Sequence, residues 1–224
     1  MLDQKFVTFY ARSSRVPLVV AERDVVLTYV LKVLSDGVLE SLAFKGGTCL
    51  KKMHFGGSGR FSMDLDFTSL SGSIDDLQAN LKRLLDKCSY FGIEFRILEE
   101  NVRKASGDCD QSYLAVLSFS HSWNSGEFMF EVSFREKPLL PLDELPLLDE
   151  MYFTYCEFPR FPVMCLHKEE LLAEKLRAAY QRFRARDLYD LYLFADRHFD
   201  KSLVQKLAVI NAGMFMNRLI QNCF

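Results

Sequence analysis

The sequence lacks most of the short signals that identify a protein class directly. It contains no GxxxxGK[ST] segment, no HExxH and no GxSxG, so a P-loop, a zinc-protease helix and an α/β-hydrolase nucleophile turn have no support. The six cysteines form no CxxC pair, and neither they nor the four histidines are grouped at zinc-binding spacing. We therefore expect scattered, reduced thiols in a cytoplasmic protein.

Long apolar runs and a strong charge of one sign are also missing. No apolar run approaches the about 18 residues of a membrane-spanning helix, and charges interrupt the apolar N-terminus, unlike a signal peptide. The formal net charge is −2 and the pI is near 6.1, so there is no global basic surface for nucleic acid, although a local basic patch would escape this count. With 49% hydrophobic residues, the chain can bury a core in one domain, with or without a helical extension.

The most informative stretch is residues 44–67, with the sequence FKGGTCLKKMHFGGSGRFSMDLDF. A short strand at Ser41–Lys45 is predicted to enter a turn at Gly46 and Gly47, and a brief helix is predicted over Thr48–Met53. The backbone amides at the start of a helix attract anions, and glycine lets a ligand approach the backbone closely. This layout predicts a turn that holds phosphate.

Two predicted strands offer carboxylates for a metal ion. Strict alternation predicts a strand at Arg60–Phe67, whose polar face carries Arg60, Ser62, Asp64 and Asp66. Aspartates at positions i and i+2 of a strand point the same way, about 7 Å apart at the backbone, so both side chains can reach one metal ion. A second alternating strand, Glu127–Arg135, makes Glu131 available as a third carboxylate on a neighbouring strand.

The region after residue 164 is strongly helical. Its predicted apolar stripe, with Lys175 near the edge, consists of Leu171, Leu172, Leu176, Tyr180 and Phe183. Asp187 is predicted to cap a second helix, with Asp190 in its first turn. On one straight helix Lys175 and Asp190 would lie about 22 Å apart, so a shared site requires a bend near Gln181–Arg186.

Each of these features also has an ordinary structural explanation. A Gly-Gly turn can simply join a strand to a helix, and an Asp-x-Asp pair or Glu131 can belong to a solvated strand face. Lys175 can extend along apolar surface to water, and Asp187 and Asp190 can complement the N-terminus of a helix. The functional interpretation depends on their occurrence together.

Taken together, the segments K-G-G-T, R-F-S-M-D-L-D-F, A-E-K-L-R and R-D-L-Y-D resemble the AbiEii toxin family, which includes the MenT toxins. The resemblance covers roughly residues 20–196. Such proteins are nucleotidyltransferases of the DNA polymerase beta-like superfamily in type IV toxin–antitoxin systems. The resemblance implies an α+β fold, with a nucleotidyltransferase-like mixed sheet flanked by helices. We expect a core at 1–137, a connecting segment at 138–163 and a helical region at 164–224 that completes the site.

The resemblance also implies roles for individual residues. The residues expected to bind the nucleotide are Gly46, Gly47, Thr48, Ser62, Lys175, Arg186 and Asp187. The expected catalytic residues are Asp64, Asp66, Lys175 and Asp190. The metal ligands are expected to be Asp64, Asp66 and Glu131, where Glu131 rests on strand phase alone, and they would hold two Mg²⁺ ions.

The activity implied is transfer of a nucleoside monophosphate from an NTP to an acceptor hydroxyl, with release of pyrophosphate. Similar toxins use the 3′ end of tRNA as the acceptor, and an antitoxin protein is the implied partner. Two alternatives remain open: transfer onto a protein hydroxyl, which the same site could support, and a non-catalytic, transferase-like binding module. The sequence does not select the base of the NTP.

Overall fold

The computed structural model describes residues 2–104 and 111–221. Within these residues the chain forms one eight-stranded sheet and seven α-helices. The strands are β1 (Leu42–Lys45), β2 (Asp64–Ser69), β3 (Cys88–Tyr90), β4 (Ile93–Lys104), β5 (Gln111–His121), β6 (Asn124–Ser133), β7 (Asp143–Pro146) and β8 (Pro162–Cys165). The helices are α1 (Gln4–Ser14), α2 (Leu18–Ser35), α3 (Gly46–Cys49), α4 (Ile74–Leu85), α5 (Lys168–Arg182), α6 (Ala185–Ala195) and α7 (Lys201–Gln221).

Strand β2 lies in the middle of the sheet, whose order is β3-β4-β5-β6-β2-β1-β8-β7. It pairs antiparallel with β1 and parallel with β6. Strand β1 also pairs with β8 in parallel. The sheet is therefore mixed, which confirms the predicted α+β fold class.

Phenylalanine rings hold the central strands together on one face of the sheet. The ring centroids of Phe44 and Phe67 lie 5.2 Å apart, and those of Phe67 and Phe130 lie 5.1 Å apart. All three side chains are fully buried, and aromatic contacts across strands stabilise strand pairing. Because side chains alternate along a strand, Asp66 points to the opposite face from its neighbour Phe67.

Helix α2 covers part of this core. It begins directly after Pro17 and is buried along most of its length because it is apolar on nearly all sides. Its buried Asp24 lies 3.0 Å from Lys52 Nζ. The buried carboxylate is thus compensated by a buried cation.

The segment 138–163 takes part in the sheet instead of only connecting two regions. Strand β7 lies within it, and β8 begins in it and pairs with β1 through Cys165 and Phe44. The sheet therefore continues across the boundary expected at residue 137. The division of the chain into three parts stays a prediction.

A sharp turn separates α5 from α6. Helix α5 ends at Arg182, Phe183 adopts a left-handed φ of 44°, and α6 begins at Ala185. This turn confirms the bend expected near residues 181–186. The predicted helix cap at Asp187 is wrong, because Arg184 occupies the N-cap position and Asp187 lies inside the first turn.

The apolar stripe predicted along α5 is wrong in its second half. Leu176, Tyr180 and Phe183 are 39%, 83% and 79% exposed. The apolar and cationic side chains that α5 does bury include Leu171, Leu172, Ala173, Lys175 and Ala179. Lys175 is buried because acidic side chains of α6 lie against it.

The cysteines Cys49, Cys88, Cys156 and Cys165 are free thiols. Cys109 and Cys223 lie outside the described residues. Across residues 2–104 and 111–221, none of the helices combines the length and the apolar character that crossing a membrane would require.

Candidate active site

Three carboxylates lie on one face of the central strands. Asp66 of β2 is the register partner of Glu131 of β6, and partners on neighbouring strands share a face of the sheet. Asp64 lies two residues before Asp66 and so shares that face. The sequence predicted the shared face of the two aspartates and offered Glu131 as a third carboxylate on a neighbouring strand, and the strand pairing places Glu131 beside Asp66.

Strand β2 begins at Asp64, later than the predicted start at Arg60. The start of β2 coincides with its first pair with β6, Asp64 opposite Met129, whereas pairing with β1 covers only the residues from Asp66 onward. The residues before Asp64 lie outside the strand, and among them Arg60 contacts Asp190 of α6. The predicted strand alternation is therefore wrong for Arg60 and Ser62.

The negative charge of the carboxylate face is only partly offset by the cations around it. Burial, followed by the charges of Glu131 and Asp64, raises the pKa of Asp66 to about 6, although Lys45 and Lys175 oppose the shift. Burial also raises the pKa of Asp64, against the charge of Arg186. Hard carboxylate oxygens suit Mg²⁺, so the residues present fit the metal that the sequence resemblance implies.

The glycine turn packs directly against these carboxylates. Gly46 has a left-handed φ of 79°, and a Cβ added there would overlap Asp66 Oδ2. A Cβ on Gly47 would lie 2.7 Å from Arg60 Nη2 and 3.0 Å from Ser62 Oγ. Thr48 Oγ1 donates a hydrogen bond of 2.5 Å to the backbone carbonyl of Asp64. Both glycines are therefore needed for the close approach of the turn to the strand.

Lys175 is held by two buried aspartates of α6. Its Nζ lies 2.9 Å from Asp190 Oδ2 and 3.2 Å from Asp187 Oδ1. Asp187 also accepts hydrogen bonds of 2.8 and 3.0 Å from Arg182. Burial opposes ionisation of Asp187, but the hydrogen bonds from Arg182 and the charge of Lys175 lower its pKa. The two aspartates thus fix the position of the lysine.

Arg60 joins the sheet half of the site to the helix half. Its Nε and Nη2 donate hydrogen bonds of 2.9 and 2.8 Å to the two oxygens of Asp190, a bidentate pair. Asp190 therefore bridges Arg60 and Lys175. Arg60 was placed by the sequence on the polar face but was not assigned a role, although it stands in the same alternating motif as Asp64.

Lys45 is a second residue that the sequence left unassigned. It is the register partner of Asp66 and its Nζ lies 3.0 Å from Glu174 Oε1. The feature of the sequence that could have indicated a role for Lys45 is its position directly before Gly46. Lys45 places a cation beside the carboxylate face and ties β1 to α5.

The residues assigned from the sequence lie in one region of the molecule. The sheet supplies or supports Gly46, Gly47, Thr48, Ser62, Asp64, Asp66 and Glu131, and the helices supply Lys175, Arg186, Asp187 and Asp190. Asp187 is fully buried with its carboxylate already paired, whereas Arg186 is exposed and its charge acts on Asp64. The arrangement can bind an anion beside a cation held by carboxylates.

Comparisons with known proteins agree with this geometry. The family described as "Nucleotidyl transferase AbiEii toxin, Type IV TA system" matches residues 32–213. The structure of MenT4, a nucleotidyltransferase toxin from Mycobacterium tuberculosis H37Rv, is similar with 30% identity and a TM-score of 0.77, covering 94% of this chain and 70% of that one. JHP933 from Helicobacter pylori shares the fold, with 19% identity and a TM-score of 0.56, covering 81% of this chain and 71% of that one. A search of curated proteins gave no match. The chain therefore belongs to the AbiEii family of nucleotidyltransferase toxins of type IV toxin–antitoxin systems.

Proposed function

We propose that this chain transfers a nucleoside monophosphate from an NTP to the 3′ hydroxyl of a tRNA and releases pyrophosphate. The observation that carries the proposal is the register of Asp66 beside Glu131, with the Gly46 turn packed against Asp66. Phosphoryl transfer needs chiefly positioning and charge neutralisation, and this arrangement offers both. Membership of the family supports nucleotidyl transfer.

Asp64, Asp66 and Glu131 would hold the metal ions, expected to be two Mg²⁺. When bound, Mg²⁺ offsets the charge of the phosphate oxygens and stabilises the attacking and leaving oxygens of an in-line displacement. Burial and the charge of Glu131 raise the pKa of Asp66, and a bound cation would relieve this repulsion. In its absence the three acidic groups repel one another.

The glycine turn and two cations would bind the triphosphate. Gly46 and Gly47 let the turn lie directly against Asp66 and Arg60, so its backbone amides would be close to a phosphate bound beside these residues. Lys175 has three N–H donors, and Asp187 and Asp190 account for two of them, which leaves one for a phosphate oxygen. Arg60 contributes a second positive charge that the same Asp190 orients.

An RNA acceptor is favoured by the basic character of the α5–α6 turn. The exposed residues Arg182, Arg184 and Arg186 lie at this turn, and the charges of Arg182 and Arg186 act on Asp66 and Asp64. A local basic patch of this kind is compatible with the overall net charge of −2, which counts the whole chain and does not show where charges cluster. Arginines beside the reacting centre can hold the phosphates of an incoming RNA end. We further propose an antitoxin protein as partner, on the strength of the family alone.

The proposal is tested by incubating the full chain with each of four labelled NTPs, Mg²⁺ and either total tRNA or total cell protein. We expect label in tRNA, lost on chelation of the metal. Label confined to protein would replace tRNA by a protein acceptor. No label with any NTP or acceptor would reject the transferase activity.

The assigned site is tested in the same assay by Asp64→Ala, with Asp196→Ala at an exposed aspartate after α6 as the matched control. Asp64→Ala should abolish transfer and leave the folded structure intact by circular dichroism, because the carboxylate would serve the metal. Asp196→Ala should transfer as the wild type does. Undiminished transfer by folded Asp64→Ala would refute the site.

A further inference from the structure

A second group of metal-binding side chains lies next to the glycine turn. Donor atoms of Cys49, His54 and Cys165 all lie within 4.8 Å of one another. These residues are far from zinc-motif spacing in the sequence, so only the fold brings them together. The group contains two thiols and an imidazole, whereas the candidate active site offers carboxylates.

The local backbone explains how the three side chains meet. Cys49 ends α3, and the chain continues as a π-helical segment, Leu50–Phe55, that carries His54. A π-helical turn closes between residues five apart, which turns His54 towards the side of Cys49. Strand β8 pairs with β1 in parallel, with Cys165 opposite Phe44, and this pairing brings Cys165 against the same turn.

The protein offers these side chains few hydrogen-bond partners outside the group. Both cysteines are fully buried, and their thiols interact with each other and, for Cys165, with the His54 side chain. Outside the group the sulfurs have long contacts with backbone carbonyls, 3.5 Å from Cys49 to Phe44 and 3.4 Å from Cys165 to Asp143. His54 Nε2 is buried and has no hydrogen-bond partner among the described residues. A buried polar atom without a partner needs an explanation, and a bound ion provides one.

The chemistry of the donors selects the ion. Thiolate and imidazole ligands favour Zn²⁺ over the hard cation Mg²⁺. Zn–S bonds of about 2.3 Å and Zn–N bonds of about 2.0 Å place tetrahedral donors about 3.5 to 3.8 Å apart. Donor atoms already within 4.8 Å of one another reach that geometry by small side-chain rotations.

We propose that Cys49, His54 and Cys165 form a binding site for one Zn²⁺ ion. The ion would join the segment that follows the glycine turn to β8, the strand that leads into α5 and Lys175. It would thereby fasten the phosphate-binding side of the candidate active site to the helix that carries its lysine. This structural ion is separate from the metal expected at the carboxylates and does not depend on the proposed transfer reaction.

The site is tested by metal binding with the full chain, prepared without metal and under a reductant that does not bind metal. Equilibrium dialysis should give one tightly bound Zn²⁺ per chain. Titration with Co²⁺ as the probe should give the near-ultraviolet charge-transfer absorption of cobalt bound to thiolate, which carboxylates cannot produce. Zinc should also raise the thermal unfolding temperature.

Variants assign the ligands. Cys49→Ser, Cys165→Ser and His54→Gln should each weaken Zn²⁺ binding more than tenfold and reduce the cobalt–thiolate band, whereas Cys88→Ser and Cys156→Ser, at free thiols outside the group, should bind as the wild type does. His54→Gln keeps both buried thiols and remains informative if a serine variant fails to fold. Absence of the cobalt–thiolate band in the wild type, or wild-type affinity in His54→Gln, would overturn the proposal.

Discussion

Replacement of Asp66 by asparagine should stabilise the protein at neutral pH while it removes the proposed transfer activity. Asp66 is largely buried, and the nearest charges on its face include those of Glu131 and Asp64. Its ionised form is therefore costly in the folded protein when no metal is bound. Asparagine has nearly the same shape and cannot ionise.

The magnitude follows from the pKa of Asp66, which rises from the ordinary value of 3.8 to about 6 on folding. Each tenfold change in an ionisation constant is worth about 1.4 kcal/mol, so the raised pKa corresponds to about 3 kcal/mol. Between pH 3.8 and about pH 6, Asp66 keeps its proton in the folded protein but has released it in the unfolded chain. The free energy of unfolding therefore falls as pH rises through this window, and the loss is complete above about pH 6.

The assay is urea unfolding at a series of pH values in the presence of a chelator. The difference in unfolding free energy between Asp66→Asn and the wild type should grow by about 2 to 3 kcal/mol from about pH 4 to about pH 7.5. The exposed Asp196→Asn variant reports the pH dependence shared by the rest of the chain. Added Mg²⁺ at neutral pH should stabilise the wild type more than Asp66→Asn. A difference that does not change with pH would refute this account of the carboxylate face.

Three further substitutions test the surroundings of the site by urea unfolding. Gly46→Ala places a Cβ at a left-handed φ and against the carboxylate of Asp66, so it should lower the free energy of unfolding by about 1 to 3 kcal/mol and abolish transfer. Gly57→Ala is the control, because a Cβ added at Gly57 has nothing within 4 Å and should be nearly neutral. Equal effects of the two variants would contradict the packing argument. Asp190→Ala removes a buried carboxylate that pairs with both Lys175 and Arg60, so it should lower the free energy of unfolding by about 3 to 5 kcal/mol. A decrease below about 1 kcal/mol would mean that these two ion pairs contribute little to stability. Ser73→Ala breaks the capping box of α4 and should cost about 1 kcal/mol without a change in transfer.

Local patterns in the sequence were sufficient for several parts of the structure. The turn at Gly46 and the shared face of Asp64 and Asp66 depend on residues close in the chain. The bend near Gln181–Arg186 was expected on the condition that Lys175 and Asp190 share a site, because a straight helix would hold them about 22 Å apart. The combination of short motifs indicated the AbiEii family, which the comparisons confirmed.

Contacts between distant segments could not be predicted in this way. The apolar pattern of α5 predicted that Tyr180 and Phe183 would be buried, but α6 folds back against Lys175 and leaves both rings exposed. The same packing lets Asp190 hold Arg60, a residue whose partner lies 130 positions away.

The sequence by itself determined the periodicity of the strands and helices and the positions of the turns, because these depend on backbone geometry over a few residues. The tertiary structure alone decided which carboxylate of β6 faces Asp66, because strand register is set by packing and pairing between separate segments. It also decided that Cys49, His54 and Cys165 meet, since no spacing in the sequence encodes the parallel pairing of β1 with β8.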